Sequence, residues 1–203
     1  NEKWVQNHLP AISKLKLRAS YGQLGNQEIP DYGFVSIIGN LYNYPFGQTP
    51  ISNPGSTIAT LGNPKVKWES STQADGGIDV GIWEDKLNLT VDYFIKTTSD
   101  MLIPIPFPLI GGSAKPPYLN AGKVQNQGLE VDLNYKNNAH LFKYDVGVNF
   151  STLQNKVLSL SNGQPIAGGR IDNNYNATLT TVGHPIGSFY LYEQEGIFQS
   201  AAD

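Results

Sequence analysis

Apolar and polar residues alternate strictly along several stretches of this chain, and the polar partners include full charges. Leu15-Lys16-Leu17-Arg18-Ala19-Ser20-Tyr21 is the first instance, and Leu87-Asn88-Leu89-Thr90-Val91-Asp92-Tyr93, Leu129-Glu130-Val131-Asp132-Leu133-Asn134-Tyr135 and Tyr144-Asp145-Val146-Gly147-Val148-Asn149-Phe150 repeat it. Successive side chains on a strand point to opposite faces, so each stretch is a ribbon with one apolar and one hydrated surface. What covers the apolar surface decides the fold and the function.

The two-residue period predicts six strands, over residues 14–22, 71–82, 87–96, 127–136, 142–151 and 186–194. No 3.6-residue period survives the 13 prolines and 21 glycines, so the expected class is all-β and antiparallel. Trp83-Glu84-Asp85-Lys86 and Asn137-Asn138-Ala139-His140-Leu141 read as tight polar turns, whereas residues 23–70, 97–126 and 152–185 are long connections. Tight turns alternating with long loops is the plan of an outer-membrane barrel, which makes those three long connections the expected extracellular loops. Met101-Leu102-Ile103-Pro104-Ile105-Pro106-Phe107-Pro108-Leu109-Ile110 is broken by alternate prolines and is not expected to form an interior strand. It would pack on a partner or on neighbouring loops.

In register, Leu15, Leu17, Ala19 and Tyr21 share a face with Ile78, Val80 and Ile82, with Leu87, Leu89, Val91, Tyr93 and Ile95, with Leu129, Val131, Leu133 and Tyr135, and with Tyr144, Val146, Val148 and Phe150. These are the lipid-facing candidates. Arg18, Asp75, Asp79, Asp92, Glu130 and Asp132 fall on the opposite face and are expected to face a hydrated lumen. Tyr21, Trp83, Tyr93, Tyr135 and Phe150 stand near the ends of the apolar runs, where amphipathic rings prefer the headgroup level. The competing reading is a secreted carbohydrate-binding β-sandwich, in which a second sheet would cover Val91, Leu133 and Val148.

Charged residues make up 15% of the 203, below the roughly 25% of soluble domains, as suits a sheet whose outer face carries no charge. A net charge of -3 with 14 scattered basic residues argues against nucleic-acid binding. The chain has no cysteine, hence no disulfide and no thiolate metal site. No run approaches the roughly 18–20 apolar residues of a spanning helix, a criterion that leaves a spanning barrel open. His8, His140 and His184 lie far apart in or beside turns, and no His-Glu-x-x-His, Gly-x-Ser-x-Gly, Walker or dinucleotide-binding glycine motif occurs. Asp75 and Asp79, with Asp92 nearby, carry no sign of the burial that an acid/base pair needs. No enzyme activity, metal or cofactor is expected. Binding chemistry sits in the loops, where Tyr42-Asn43-Tyr44 and Asn173-Asn174-Tyr175 place rings beside side-chain amides. That suits the apolar face and hydroxyls of a sugar, although the same residues are common turn formers.

Longer motifs carry more information. Leu61-Gly62-Asn63-Pro64-Lys65-Val66-Lys67-Trp68-Glu69 followed by Ser71-Thr72-Gln73, then Asn120-Ala121-Gly122-Lys123-Val124-Gln125-Asn126-Gln127-Gly128-Leu129-Glu130, then Gly183-His184-Pro185-Ile186-Gly187-Ser188-Phe189-Tyr190 with Glu195-Gly196-Ile197-Phe198-Gln199 resemble, in order, signature segments of SusC/RagA-type TonB-linked outer-membrane proteins. Leu15 to Gly25 is a fourth match, so the resemblance spans essentially the whole chain. Ala74-Asp75-Gly76-Gly77 and Leu191 depart from the usual pattern. The resemblance implies that residues 1–203 are part of a barrel of about twenty-two strands, with the plug domain and the TonB-contacting segment elsewhere. It further implies an outer-membrane importer of oligosaccharides or peptides in a Gram-negative bacterium, powered through TonB and closed by a SusD-like surface lipoprotein. Six strands alone cannot close a barrel wide enough for solute.

Overall fold

The computed structural model describes residues 10–40, 42–47, 51–104, 114–138, 141–160, 163–172, 175–193 and 196. In chain order the strands are β1 (Ile12–Asn26), β2 (Ile37–Gly39), β3 (Tyr44–Phe46), β4 (Ile51–Asn53), β5 (Thr57–Thr60), β6 (Glu69–Ile82), β7 (Leu87–Pro104), β8 (Tyr118–Asn137), β9 (Tyr144–Leu160), β10 (Ile166–Arg170), β11 (Asn176–Thr180) and β12 (Ser188–Phe189). Five long strands form one antiparallel sheet in the order β1-β6-β7-β8-β9. The short ones make three small sheets within the long connections, β2 with β5, β3 with β4, and β10-β11-β12.

The register places the predicted apolar residues on one face, row by row. Leu15, Val80, Leu89, Leu133 and Val148 stand side by side across the sheet, as do Leu17, Ile78, Val91, Val131 and Phe150. The apolar stretch of β7 runs from Leu87 to Ile95, about 26 Å at strand rise and about 20 Å in height at barrel tilt, close to the apolar band of about 25 Å on outer-membrane barrels. Beyond it the same face turns polar, with Thr72, Thr97, Gln125 and Lys156. Tyr135 stacks at 5.9 Å on Tyr144, which meets Phe142 at 5.8 Å, at the tight-turn edge of the band, while Tyr21 and Tyr93 are exposed at its other edge. Phe150 departs from the expectation. It lies in the middle row opposite Val131, so it is a band residue and not part of an aromatic rim.

Nothing among the described residues covers this face. Leu17 is 77% exposed, Val148 59% and Phe150 58%, so the second layer that a sandwich requires is missing. Among the described residues the buried apolar ones are Val124, Val157 and Leu160, joined by Met101, Ile103 and Ile166 beyond the band. A cluster of that size cannot organise a soluble domain of this length by burial; the sheet is built for an apolar solvent. Each outer strand, β1 and β9, has a single neighbour in this sheet. Hydrocarbon leaves no partner for the backbone groups of an open edge.

Three expectations need correction. The long strands continue well past their predicted ends, to Asn26, Pro104 and Leu160, and β6 and β8 begin at Glu69 and Tyr118. The long connections are therefore shorter than 23–70, 97–126 and 152–185. Past the band both faces carry polar residues, so the alternation fades while the backbone ladder persists. The sixth long strand expected over 186–194 is not found among the described residues 186–193, where Ser188 and Phe189 pair with β11. Gly187 adopts φ +66°, and the Ile186 amide donates to the Asn155 side chain at 2.8 Å, which breaks the extended run. Finally, Met101–Pro104, expected within the 97–126 connection, belongs to β7, though not to an interior part of it. There β7 has outrun β6, and the Leu102 amide donates to Glu69 Oε1 at 2.7 Å in place of a strand partner, so Pro104 sits at an edge position where no donor is needed. Residues 105–110 lie outside the described residues.

The turn between β6 and β7 is unusual in having Trp83, Glu84 and Asp85 all at positive φ, +54° to +63°, each costing about 1–2 kcal/mol for a residue with a Cβ. Ser13 offsets this by donating to Asp85 Oδ1 at 2.6 Å while its hydroxyl accepts from the Asp85 amide at 3.0 Å.

Candidate functional site

The charged face of the sheet is the first candidate surface, and all six predicted residues lie on it. Arg18 on β1 reaches across β6 to β7. Its guanidinium meets Asp79 Oδ1 at 3.0 Å and Asp92 Oδ2 at 2.9 Å, and Thr90 donates to Asp79 at 3.1 Å. Glycine at position 77 makes that reach possible, because Arg18, Gly77 and Asp92 are register partners in one row and a Cβ on Gly77 would strike the Asp92 carboxylate and approach Arg18. One departure from the family pattern therefore has a packing role. Glu130 stands opposite Asp92 in the same row, a like-charge pair that costs stability and that Arg18 offsets from the far side. Asn149, with its amide turned, donates to Asp132, and Ser20 donates to Asp75 at 2.6 Å. A hollow of about 280 Å³ lies among Thr90, Asp92, Glu130, Asp132, Asn149 and Ser151. Gly77→Val is expected to part Arg18 from Asp92 and lower the thermal midpoint of the complete barrel in detergent. Gly76→Ala, whose added carbon comes no nearer than 3.9 Å to the Arg18 carbonyl, should leave it unchanged.

The loop candidates fall into two separate places. Tyr42, Asn43 and Tyr44 lie at the start of the β3–β4 pair, where the Tyr42 amide donates to the Gly55 carbonyl at 3.3 Å and Tyr44 is exposed. Tyr175 lies beside the β10-β11-β12 sheet; Asn173 and Asn174 fall outside the described residues. Tyr175 is held by its amide donating to Asp172 Oδ1 at 3.0 Å and by its carbonyl accepting from Ile171 at 3.0 Å. With Asn176, Tyr190, Leu191 and Tyr192 it lines a hollow of about 310 Å³, and the Tyr190 amide is anchored to the Ala177 carbonyl at 2.8 Å. Sequence reading missed Tyr190 and Tyr192 because it assigned them to a strand. A third hollow, of about 610 Å³, opens at the rim among Asn26, Glu28, Asp31, Glu69, Leu102 and Tyr118. No cluster of metal-ligating side chains occurs among the described residues.

Comparison with known proteins decides what kind of sheet this is. Residues 7–199 match the family described as TonB dependent receptor-like, beta-barrel. The chain belongs to that family. TonB-dependent receptor P3 of Formosa agariphila is 32% identical over 192 residues, 93% of this chain and 19% of the relative. TonB-dependent receptor SusC of Bacteroides thetaiotaomicron is 29% identical over 195 residues, 90% of this chain and 19% of that protein. Among solved structures, the RagAB peptide transporter superposes with a TM-score of 0.73 at 28% identity, over 96% of this chain and 21% of the matched one. This TonB-dependent receptor segment thus spans 19% of the length of the two named receptors, and the family is one of outer-membrane proteins of Gram-negative bacteria.

The receptor's signature segments turn out to hold loops to wall. In the first, the Asn63 amide donates to the Gly33 carbonyl at 2.9 Å, its side chain donates to the Tyr118 carbonyl at 2.9 Å, and Glu69 accepts from Asn26 at 3.2 Å. The second meets the first at Asn120, whose side chain accepts from the Lys67 amide at 2.7 Å and donates to the Lys67 carbonyl at 2.7 Å. The third meets the second through Asn155, which donates to Asn126 at 2.7 Å and accepts from Ile186 at 2.8 Å. His184 serves through its backbone, its carbonyl accepting from the Val157 amide at 2.9 Å. Three motifs distant in sequence are one hydrogen-bonded belt at the loop end of the sheet.

Proposed function

We propose that this chain is a wall segment, with three extracellular connections, of a TonB-dependent importer that carries oligosaccharides across the outer membrane. The observation that carries the reading is an uncovered apolar band, of membrane height, backed by a charged face. In this reading residues 1–203 form part of the barrel domain, and a plug domain and the TonB contact belong to other parts of the protein. Arg18, Asp75, Asp79, Asp92, Glu130 and Asp132 face the lumen and keep it wet. A SusD-like lipoprotein closes over the loop end, where Phe34, Ile38 and Tyr44 are exposed. The role is passage and capture, with no catalysis.

Oligosaccharide is favoured as cargo because the hollow at Tyr175, Asn176, Tyr190 and Tyr192 offers rings and an amide with no charge, which suits a neutral sugar. Peptide is the second reading, supported by likeness to the RagAB peptide transporter. Uptake of labelled oligosaccharides by cells carrying the complete protein tests both. Saturable uptake is expected, abolished when TonB is removed. Replacing Tyr175, Tyr190 and Tyr192 together by Ala should raise the half-saturation concentration at least tenfold, since each stacking ring contributes about 0.5–1.5 kcal/mol. Competition by peptides and not by sugars would select the second reading, and uptake independent of TonB would refute both.

A further inference from the structure

The belt of signature segments contains one side chain whose bonding is complete in both directions. Asn120 Oδ1 accepts from the Lys67 amide at 2.7 Å, and Asn120 Nδ2 donates to the Lys67 carbonyl at 2.7 Å and to the Asp100 carbonyl at 2.8 Å. An amide has two N–H donors, and both are used here. Towards Lys67 the side chain behaves as a neighbouring strand would, satisfying the N–H and the C=O of one residue. Towards Asp100 it captures a carbonyl turned out of the ladder, since Asp100 adopts φ +58° where the β7–β8 register shifts between Thr98 and Met101. The left-handed residue and the amide fit one another: the bulge costs stability, and Asn120 meets the group that the bulge exposes.

Lys67 is close to the end of the long β1–β6 connection, two residues before β6 begins. The same connection contributes Glu28, Ile29, Pro30 and Asp31 to the 610 Å³ rim hollow, whose other side is Tyr118 on β8. Asn120 is two residues from Tyr118 on that strand. The connection is tied to β8 at two neighbouring places, where Asn120 holds Lys67 and where the Asn63 side chain donates to the Tyr118 carbonyl at 2.9 Å, and together they set the width of the hollow.

We infer that Asn120 is a positioning residue for ligand capture: it latches the β1–β6 connection onto β7 and β8 and thereby holds the rim hollow at a fixed width. The consequence for transport rests on the importer reading; the latch itself does not. Carboxylate in place of the amide is the sharpest substitution, because Asn120→Asp keeps shape and acceptor but loses both donors and sets a negative charge against two carbonyls. Asn120→Ala removes all three bonds.

The test uses the full-length protein in detergent, with nitroxide labels on cysteines introduced at Asp31 and Lys123, and a control pair at Lys136 and Lys123, both on β8. In Asn120→Asp and Asn120→Ala the Asp31–Lys123 distance distribution is expected to broaden and lengthen while the control stays sharp. In cells, the half-saturation concentration for labelled oligosaccharide should rise about fivefold, the effect of roughly one net hydrogen bond, with the maximal rate unchanged. An unaltered Asp31–Lys123 distribution overturns the latch. Broadening of both pairs overturns it too, since Asn120 would then be holding the sheet and not the connection. Absence of TonB-dependent uptake in the unsubstituted protein fells the importer reading and leaves the label result standing.

Discussion

Val91→Arg in the complete protein will destabilise the barrel by about 2–4 kcal/mol, the cost of a cation at bilayer mid-depth, or roughly 30- to 1000-fold in the folded-to-unfolded ratio. Val91 belongs to the central strand β7 and to the middle apolar row, between Ile78 and Val131. Its cross-strand partners on that face, Ile78 and Val131, are aliphatic and offer the guanidinium no acceptor. Thr97→Arg places the same charge on the same strand and face, beyond the band and opposite Gln125. It should shift stability by no more than about 0.5 kcal/mol. Urea unfolding of both variants in phospholipid vesicles, followed by tryptophan fluorescence, makes the comparison. Equal destabilisation would mean that the face does not lie in hydrocarbon.

Gly62→Val is the second large effect expected, and it acts on the loop end. Gly62 lies where the β1–β6 connection folds back on itself, and a Cβ there would run into the backbone of Val35 and Ser36. Backbone atoms cannot rotate aside as a side chain can. The segment would have to part, losing the Gly62 amide's bond to Ser36 Oγ at 3.2 Å and the Asn63 amide's bond to the Gly33 carbonyl at 2.9 Å. Overpacking of this kind costs about 1–3 kcal/mol. Because the clash is far from the band, hydrogen exchange should speed up over residues 33–36 and 61–67 and remain slow over β7 and β8. Uniform acceleration across the sheet would show that the connection and the wall unfold as one unit.

The candidate site was legible in proportion to how far each residue's neighbours were local. Arg18, Asp79 and Asp92 could be put on one face by counting in twos, and the cross-strand register then brought them within ion-pair distance. That Gly77 is what lets Arg18 span β6 could not be read, because the gap exists only once three strands lie side by side. Tyr175 was picked for its chemistry. Tyr190 and Tyr192 join it through β11 and β12, a pairing of residues 178–179 with 188–189 that leaves no periodic trace. The resemblance marked Asn120 and Asn155 as part of motifs without saying what they do; their roles as clamps are hydrogen bonds across 53 and 31 residues.

Alternation by itself determined that this chain forms antiparallel ribbons with one apolar face, because a two-residue period is a property of the extended backbone whatever surrounds it. It determined which residues share that face from Leu15 to Phe150. Only the tertiary structure decided what the face meets, since a sandwich core and a membrane band write the same pattern, and the exposure of Leu17, Val148 and Phe150 separates them. It also decided where the strands end, because above the band water touches both faces, and the ladder of backbone bonds continues after the side chains have stopped recording it.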